Sequence, residues 1–258
     1  MGQPLSQFVG EVGERIKTAE RVSLFLDFDG TLSWLAPSPE TAWLSEQTRE
    51  TLDRISKMHH VVTTIISGRA VEDLYARVRL DGLIYAGNHG LEIFGRHLRF
   101  VEPSAAARRE LLSRLSLSLA ERLQPISGAL VEYKGYTASI HYRQASETDV
   151  PEIEDAVRRA VALVSARFRV NAGKKVFEIV PRTDWHKGAA VHWINRHLGN
   201  GAVLPIYLGD DATDEDAFCV LPDAITVKVG PSEVTCARYQ LPDPAAVHEF
   251  LEWLAGAK

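Results

Sequence analysis

The sequence predicts an α/β protein whose Rossmann-like, parallel-sheet core is interrupted by an inserted α+β domain. In the core, short apolar runs ending in glycine alternate with segments of helical spacing, a pattern typical of parallel strands joined by helices. In the middle of the chain the order changes to helix, hairpin, helix, hairpin, which indicates antiparallel pairing. We therefore predict a core formed by residues 1–102 and 181–258 and an insert at residues 103–180.

The first strand of the core is predicted within VSLFLDFDGTL at residues 22–32. Its apolar start is typical of a buried strand, and the glycine marks its end. Because side chains alternate along a strand, Asp27 and Asp29 leave it on the same side. Carboxylates this close repel each other, so we expect a cation near them or a proton on one of them.

The other elements follow from spacing and capping signals. Further core strands are predicted at residues 59–66, 83–86, 203–208 and 224–229. Core helices are predicted after Ser45, over 71–78, after a cap at Thr183 or Asp184, and over 247–254. In the insert, a leucine-rich helix over 111–123 and a helix opened by Asp149 and Pro151 each precede a hairpin.

Composition excludes several classes of protein. A net charge of −5 over 258 residues offers no broad basic field for nucleic acid or an anionic membrane. No run has the length of a membrane span or the form of a signal peptide. Cys219 and Cys236 lack any zinc-type spacing, so we expect two thiols in a reducing compartment. A monomer in the cytoplasm is therefore expected.

Polar residues gather where the core elements begin or end. Asp210 and Asp211 follow the strand at 203–208, Ser67 follows the strand at 59–66, and Lys187 lies in the first turn of a helix. The helix dipole disfavours a cation there unless an anion binds, and helix starts attract phosphate. Asp27 could attack a phosphorus atom, and Asp29 could protonate the leaving oxygen. The carboxylates supply the oxygen ligands that Mg²⁺ prefers.

Each signal also has a structural alternative. Asp27-Phe-Asp-Gly30 could begin a calcium-binding loop, but its twelfth position is Ser38 rather than glutamate. The acidic run 210–216 could be a solvated helix cap, Ser67-Gly-Arg69 an ordinary turn, and Lys187 a surface lysine. Their order and their positions at element ends favour a shared catalytic site.

The motifs resemble those of the haloacid dehalogenase superfamily of phosphohydrolases. Its four ordered motifs match Asp27-Phe-Asp-Gly-Thr-Leu32, Ser67, Lys187 and Gly209-Asp-Asp-Ala-Thr-Asp214. The insert resembles the larger cap of that superfamily, an αββαββ unit. Four segments look like those of trehalose-6-phosphate phosphatases: Ser-Gly-Arg69, Ala86-Gly-Asn-His-Gly-Leu-Glu92, Gly173-Lys-Lys-Val-Phe-Glu178 and the run from Gly209 to Phe218.

The resemblance implies a role for each matching residue. Asp27 is the implied nucleophile and Asp29 the acid/base, while Asp27, the main-chain carbonyl of Asp29 and Asp210 are the implied Mg²⁺ ligands. Ser67 and Lys187 bind the phosphoryl group. The other implied substrate contacts are Arg69, Asn88, His89 and Gly90 in the core and Lys134, Lys174 and Glu178 in the cap. Thr31, Asp211 and Asp214 are implied to contact and orient these groups without touching the substrate. Trp185-His186 is bulkier than usual for the family.

The function implied is Mg²⁺-dependent hydrolysis of trehalose 6-phosphate to trehalose and phosphate, through an aspartyl-phosphate and with a moving cap. A phosphatase for sucrose 6-phosphate, mannosylglycerate phosphate or a hexose phosphate is the alternative in the same class. A sugar-phosphate sensor or a phospho-aspartate signalling module is the alternative in another class. The expected partner is a small sugar phosphate.

Overall fold

The structure, a computed structural model, describes residues 2–36, 39–199 and 201–256. Ser38, the twelfth position of the alternative calcium-binding loop, lies outside these residues. The chain forms two compact units, residues 1–100 with 185–258, and residues 101–184. The sequence predicts the insert at 103–180, which lies within the second unit.

Strands and helices alternate through most of the chain. The strands are β1 (Gln3–Pro4), β2 (Arg21–Asp27), β3 (Val61–Ile66), β4 (Ile84–Gly87), β5 (Glu92–Gly95), β6 (Leu98–Val101), β7 (Leu130–Tyr133), β8 (Ala138–His141), β9 (Phe168–Gly173), β10 (Val176–Pro181), β11 (Val203–Gly209), β12 (Ile225–Val229) and β13 (Tyr239–Leu241). The helices are α1 (Val9–Thr18), α2 (Glu46–Ser56), α3 (Val71–Val78), α4 (Pro103–Leu123), α5 (Val150–Ala162), α6 (Lys187–His197), α7 (Ala212–Cys219) and α8 (Pro244–Gly256).

Strand β2 lies in the middle of the first unit's sheet, whose order is β1-β13-β12-β11-β2-β3-β4-β5-β6. It pairs in parallel with β11 on one side and β3 on the other. Leu24 and Leu26 belong to one hydrophobic cluster and Phe25 to another, so both faces of β2 are covered. This explains the run of apolar residues without polar alternation, as expected for a strand buried on both faces. The predicted parallel α/β core is confirmed.

The two faces of the sheet carry different helices. Residues of α1, α2, α3 and α8 join the cluster of Leu24 and Leu26. Residues of α6 and α7 join the cluster of Phe25. Because Asp27 follows Phe25 by two positions, its side chain is directed to the face of α6 and α7. This alternation determines which helices can supply partners to Asp27.

The edge of this sheet differs from the prediction. Strand β4 pairs with β5 antiparallel, so the sheet is mixed rather than purely parallel. Neither β5 nor β6 is predicted from the sequence, because this segment carries no long apolar run. The two-residue turn at Arg96 and His97 has positive φ angles of 46° and 69°, typical of a tight hairpin.

The second unit is a four-stranded antiparallel sheet of order β7-β8-β10-β9, with helices α4 and α5. Its element order matches the predicted αββαββ pattern. Leu112 and Leu119 of α4 and Val157 of α5 pack with Ile140 and Ile179 of the strands in one hydrophobic cluster. The unit therefore has a hydrophobic core of its own.

Two local predictions are wrong. Helix α6 begins at Lys187 after an N-cap at His186, which makes no side-chain capping bond, so neither Thr183 nor Asp184 caps it. Cys219 and Cys236 form a disulfide with their Cα atoms 5.2 Å apart, so they are not free thiols. Their separation of 17 residues gives no sign that the end of α7 meets the segment before β13. Among the described residues, no helix has the length and apolar character needed to cross a membrane.

Candidate active site

The predicted site residues of the core meet at the carboxyl edge of three adjacent strands. Asp27 ends β2, Ser67 directly follows β3, and Asp210 directly follows β11. Asp27 and Ser67 are buried, with 4% and 3% of their surface exposed. Parallel neighbours end at the same edge, so three segments that are distant in sequence converge here.

The turn after β2 lies against the carboxylate of Asp210, which follows the neighbouring strand β11. Gly30 has a φ of 87°, and a Cβ added there would overlap the Asp210 carboxylate. Its N–H donates to the Ser33 carbonyl at 2.8 Å, which closes the turn. Thr31 lies fully buried in the same turn, and its hydroxyl has no hydrogen-bond partner among the described residues. Glycine is therefore required at position 30 by both backbone angle and space.

Three carboxylates lie close enough to share a cation. Ligand atoms of Asp27, Asp210 and Asp214 are all within 4.8 Å of one another. Asp214 is the least available, because Oδ1 accepts hydrogen bonds from Lys187 and Tyr207 and Oδ2 accepts one from the Asp211 N–H. Asp27 and Asp210 are thus better placed as ligands. A set of oxygen donors with excess negative charge fits a hard divalent cation.

Lys187 lies at the centre of this acidic cluster. Only 1% of its surface is exposed, and its Nζ donates to Asp27 Oδ1 at 2.8 Å and to Asp214 Oδ1 at 2.7 Å. Asp211 Oδ1 is 3.8 Å from the same nitrogen. Burial opposes the charged amine, but attraction by Asp211, Asp214 and Asp27 outweighs it and raises the Lys187 pKa. The surface-lysine alternative is therefore excluded.

Burial is the main cause of the pKa shifts of two acids beside Lys187, Asp27 and Asp214. It raises the pKa of Asp27 well above the ordinary value, with Lys187 acting in the opposite direction. It raises the pKa of Asp214 to about 6, again against the attraction of Lys187. Neighbouring carboxylates add to both shifts: Asp214, Asp210 and Asp211 raise the pKa of Asp27, and Asp211 raises that of Asp214. This group of four acids around one buried lysine carries net negative charge, which a further cation would offset.

The acidic run after β11 combines two roles. Asp211 is the N-cap of α7, accepting from the N–H groups of Thr213 at 2.8 Å and Asp214 at 3.1 Å. The Asp214 carboxylate in turn accepts a hydrogen bond from the Asp211 N–H, which completes a capping box. Asp214 is nonetheless fully buried and bonded to Lys187, so the run is not only a solvated cap. Capping orients Asp214 toward the site.

Arg69, a predicted substrate contact, is bonded to Asp29 in the structure. Its Nε donates to Asp29 Oδ2 at 2.6 Å and its Nη2 to Asp29 Oδ1 at 2.7 Å, a bidentate pair. Ser67 Oγ accepts from the Arg69 main-chain N–H at 3.2 Å. The Ser67-Gly-Arg69 turn therefore connects the end of β3 to the proposed acid/base.

The segment Asn88–Gly90 is fixed against the same turn. The Asn88 N–H donates to the Arg69 carbonyl at 2.7 Å, and the His89 N–H donates to the Ser67 carbonyl at 2.9 Å. Asn88, His89 and Gly90 all have positive φ, between 52° and 85°. The structure thus brings these three predicted residues to the site edge.

Trp185, noted in the sequence for its bulk, contributes to the same segment. Its Nε1 donates to the Gly90 carbonyl at 2.8 Å, and its ring stacks on Phe100 with centroids 4.7 Å apart. The indole therefore connects the start of α6 to the loop after β4.

The remaining predicted residues lie on the sheet of the second unit. Glu178 is in β10, while Lys134 follows β7 and Lys174 follows β9. Lys134 Nζ is 3.7 Å from Glu178 Oε1, and the Lys174 carbonyl accepts from Arg143 Nη2 at 3.1 Å. Contact of these residues with substrate stays a prediction.

Sequence reasoning missed three residues near the site. Tyr207 of β11 is fully buried, and its hydroxyl donates to Asp214 Oδ1 at 2.7 Å. Lys228 Nζ donates to the main-chain carbonyl of Asp210. Lys228 is a lone charge within the apolar strand ITVKV, which was a detectable signal. Asp73, which bonds Arg69, had no such signal, because an acidic residue is ordinary in the first turn of a helix.

The fold is haloacid dehalogenase-like: a haloacid dehalogenase-like hydrolase from Bacteroides thetaiotaomicron aligns with a TM-score of 0.63 at 16% identity, covering 91% of this chain and 99% of that chain. The trehalose-6-phosphate phosphatase C-terminal domain of C. albicans aligns with a TM-score of 0.82 at 24% identity, covering 100% of this chain and 99% of that chain. At that identity the likeness shows the fold.

Residues 25–244 match the trehalose-phosphatase family model, and the chain belongs to that family. It is 37% identical over 248 residues to the trehalose-phosphate phosphatase of Mycobacterium tuberculosis, covering 92% of this chain and 62% of that protein. It is 37% identical over 260 residues to trehalose 6-phosphate phosphatase RA3 of Zea mays, covering 93% of this chain and 71% of that protein. The chain thus spans about three fifths of the mycobacterial relative.

Proposed function

We propose that the chain is an Mg²⁺-dependent phosphatase that hydrolyses trehalose 6-phosphate to trehalose and phosphate. The observation that carries the proposal is the buried Lys187 amine between Asp27 and Asp214, at the strand edge where Ser67 and Asp210 also lie. Family membership and the names of the relatives support the choice of substrate.

In the proposed first step, a carboxylate oxygen of Asp27 attacks phosphorus and the bond from phosphorus to the sugar oxygen breaks. Asp29 gives its proton to the departing sugar oxygen, so trehalose leaves as a neutral alcohol. The product of this step is an aspartyl-phosphate on Asp27.

In the second step, Asp29 takes a proton from water, which attacks the phosphorus of the aspartyl-phosphate. The bond from phosphorus to Asp27 breaks, inorganic phosphate leaves, and both carboxyl groups return to their starting states. Both Asp29 oxygens accept from the Arg69 guanidinium in the structure, so the oxygen that carries the proton gives up its bond to Arg69 while the other oxygen keeps its own.

The cation of this proposal would be held by Asp27, Asp210 and the main-chain carbonyl of Asp29. When bound, Mg²⁺ neutralises charge on the phosphoryl group. Lys187 and Ser67 bind phosphoryl oxygens, and Asp214 keeps the Lys187 amine in place through its 2.7 Å bond. Arg69, Asn88, His89 and Gly90 are the proposed substrate contacts of the core, and Lys134, Lys174 and Glu178 those of the second unit.

Phosphate release from trehalose 6-phosphate tests the proposal directly. The wild type is expected to release phosphate with Mg²⁺ and to stop when EDTA removes it, whereas Asp27→Asn loses at least about a thousandfold in kcat. Asp53→Asn on α2 serves as a control that removes a partly exposed carboxylate paired with Lys57. Faster turnover of sucrose 6-phosphate or hexose phosphates would overturn the substrate, and activity in Asp27→Asn would overturn the nucleophile.

A monomer acting in the cytoplasm is part of the same proposal. Light scattering on the purified protein checks the monomer. Disulfides are rare in reducing compartments, so the bond between Cys219 and Cys236 is the observation that weighs against the cytoplasm. Thiol titration of protein alkylated during cell lysis decides which state the two cysteines have in the cell.

A further inference from the structure

Four charged side chains of alternating sign form a chain that leads away from the site. We call Asp29, Arg69, Asp73 and Arg77 the α3 relay, because Asp73 and Arg77 belong to α3 and Arg69 lies two residues before its start. Arg69 donates to Asp29 through Nε and Nη2 and to Asp73 Oδ2 through Nη1 at 2.8 Å. Arg77 Nε donates to Asp73 Oδ1 at 2.9 Å and to Oδ2 at 2.8 Å.

The far end of the relay is attached to main chain. Arg77 Nη1 donates to the carbonyls of Ala42 at 2.5 Å and Glu40 at 3.3 Å. Its guanidinium also lies 5.0 Å from the ring centroid of Trp43. Only 6% of Arg77 is exposed, so few other positions are open to this side chain. The relay therefore starts from a group that cannot readily rotate.

Asp73 is the member that fixes Arg69. The Arg69 guanidinium touches Asp29 on one side and Asp73 on another, and it lies 5.5 Å from the Phe28 ring centroid. Without the Asp73 carboxylate, Nη1 loses this partner, and the direction of the guanidinium against Asp29 is less restricted. Two arginines, 8% and 6% exposed, would also lose the negative charge between them.

The charges of the relay balance, which distinguishes it from the acidic cluster around Lys187. Two carboxylates face two guanidinium groups, each of which is permanently charged. Hydrogen bonds from Arg77 and Arg69 lower the Asp73 pKa although partial burial opposes them. The relay thus needs no further ion. Its hydrogen bonds fix the orientation of the side chains that they join.

We propose that Asp73, anchored by Arg77, positions Arg69 and through it the carboxylate of Asp29, so that α3 sets the orientation of the acid/base. The inference rests on the acid/base role given to Asp29 under the proposed function. Asp73 touches neither Asp29 nor the reacting atoms in this arrangement and acts as a positioning residue.

The test compares leaving groups in Asp73→Asn. Phenyl phosphate and p-nitrophenyl phosphate have similar size, but phenolate is the more basic leaving group and depends more on a proton from Asp29. Because kcat/KM reports steps through departure of the leaving group, we expect it to fall about tenfold or more for phenyl phosphate and trehalose 6-phosphate. For p-nitrophenyl phosphate we expect a change of less than about threefold, since little proton transfer is needed.

The controls separate positioning from general loss of structure. Asp53→Asn removes a carboxylate with the same i,i+4 pairing on α2. Its kcat/KM is expected to equal that of the wild type for both aryl phosphates. Asp73→Glu keeps the carboxylate and is expected to recover part of the phenyl phosphate rate. If Asp73→Asn does not fold, Arg77→Lys replaces it, because lysine keeps the charge but lacks the paired donors.

Equal losses on both aryl phosphates, or no loss on either, would overturn the relay. Asp29→Asn distinguishes this failure from failure of the proposed function. If Asp29→Asn shows the leaving-group dependence and Asp73→Asn does not, the relay alone is wrong. If neither variant shows it, the acid role of Asp29 is wrong. If the wild type hydrolyses aryl phosphates but spares trehalose 6-phosphate, the substrate is wrong.

Discussion

We call Lys187 together with Asp27, Asp211 and Asp214 the Lys187 cluster. This cluster and the α3 relay lie at the same strand edge but differ in their balance of charge. In the Lys187 cluster one amine contacts Asp27 and Asp214 and has Asp211 at 3.8 Å. Burial raises the pKa of Asp27 and Asp214, whereas for Asp211 the attraction of Lys187 and hydrogen bonds outweigh burial and lower the pKa. In the relay each carboxylate accepts hydrogen bonds from a guanidinium group, and the pKa of Asp73 is lowered. An excess of acid indicates a site that takes up a cation, whereas balanced charge indicates a support.

The largest expected effect comes from removing the one amine of the Lys187 cluster. Lys187→Gln leaves Asp27 and Asp214 buried without their cation, which is expected to cost about 3–5 kcal/mol of unfolding free energy at neutral pH. Urea denaturation measures the loss, with Lys57→Gln as the exposed control.

The same variant tests whether the pKa values of Asp27 and Asp214 are raised, as burial predicts. A carboxyl whose folded pKa is raised is destabilising above that value and relieved by protonation below it. Lys187 lowers the Asp214 pKa, which is about 6 in the wild type, so this pKa is higher in Lys187→Gln, and the deficit is expected to shrink as pH falls from 8 toward 6. A deficit that is constant from pH 8 to 5 would contradict the account of the cluster.

An intermediate effect is expected from Mg²⁺ on thermal stability. Binding to the folded state alone adds about 2.7 kcal/mol at a concentration one hundred times Kd, so the melting temperature should rise on titration. Asp210→Asn is expected to lose most of this rise, and Asp73→Asn to keep it, because only Asp210 belongs to the three-carboxylate group that includes Asp27 and Asp214. Loss of the rise in Asp73→Asn would mean that the two clusters are not separate.

The smallest effect concerns the stability contributed by Asp73. A carboxyl whose pKa is lowered on folding contributes stability that is present above its unfolded pKa, about 3.9, and lost as pH falls through the folded value. Asp73→Asn is expected to lose about 1–2 kcal/mol at pH 7, since Arg69 and Arg77 lose a bonded partner. Unfolding curves at pH 7 and pH 3 should show this difference narrowing at pH 3. A difference that persists at pH 3 would point to a packing effect.

Residues read as strand ends were placed well from the sequence, because the signals are local. The apolar run before Asp27, the glycine after it and the acidic run after β11 each indicate an element boundary without reference to distant residues. Parallel pairing then brings Asp27, Ser67 and Asp210 to one edge. Predictions from capping chemistry had mixed outcomes. Ser45 is the N-cap of α2 as predicted, accepting from the Thr48 N–H at 3.0 Å. Asp184, in contrast, lies two positions before the actual N-cap of α6, His186.

The sequence by itself determined the class of fold, the order of the strand-end motifs and the excess of acid at residues 210–216, because periodicity and spacing encode these directly. Only the tertiary structure decided which acid meets which cation. Alternation along β2 sends Asp27 to the face of α6, where Lys187 lies buried, while the turn after β3 gives Arg69 to Asp29. It likewise joined Cys219 to Cys236 and linked Asp73 to the site. Such pairings depend on distances between segments that are far apart in the chain, and no local pattern specifies them.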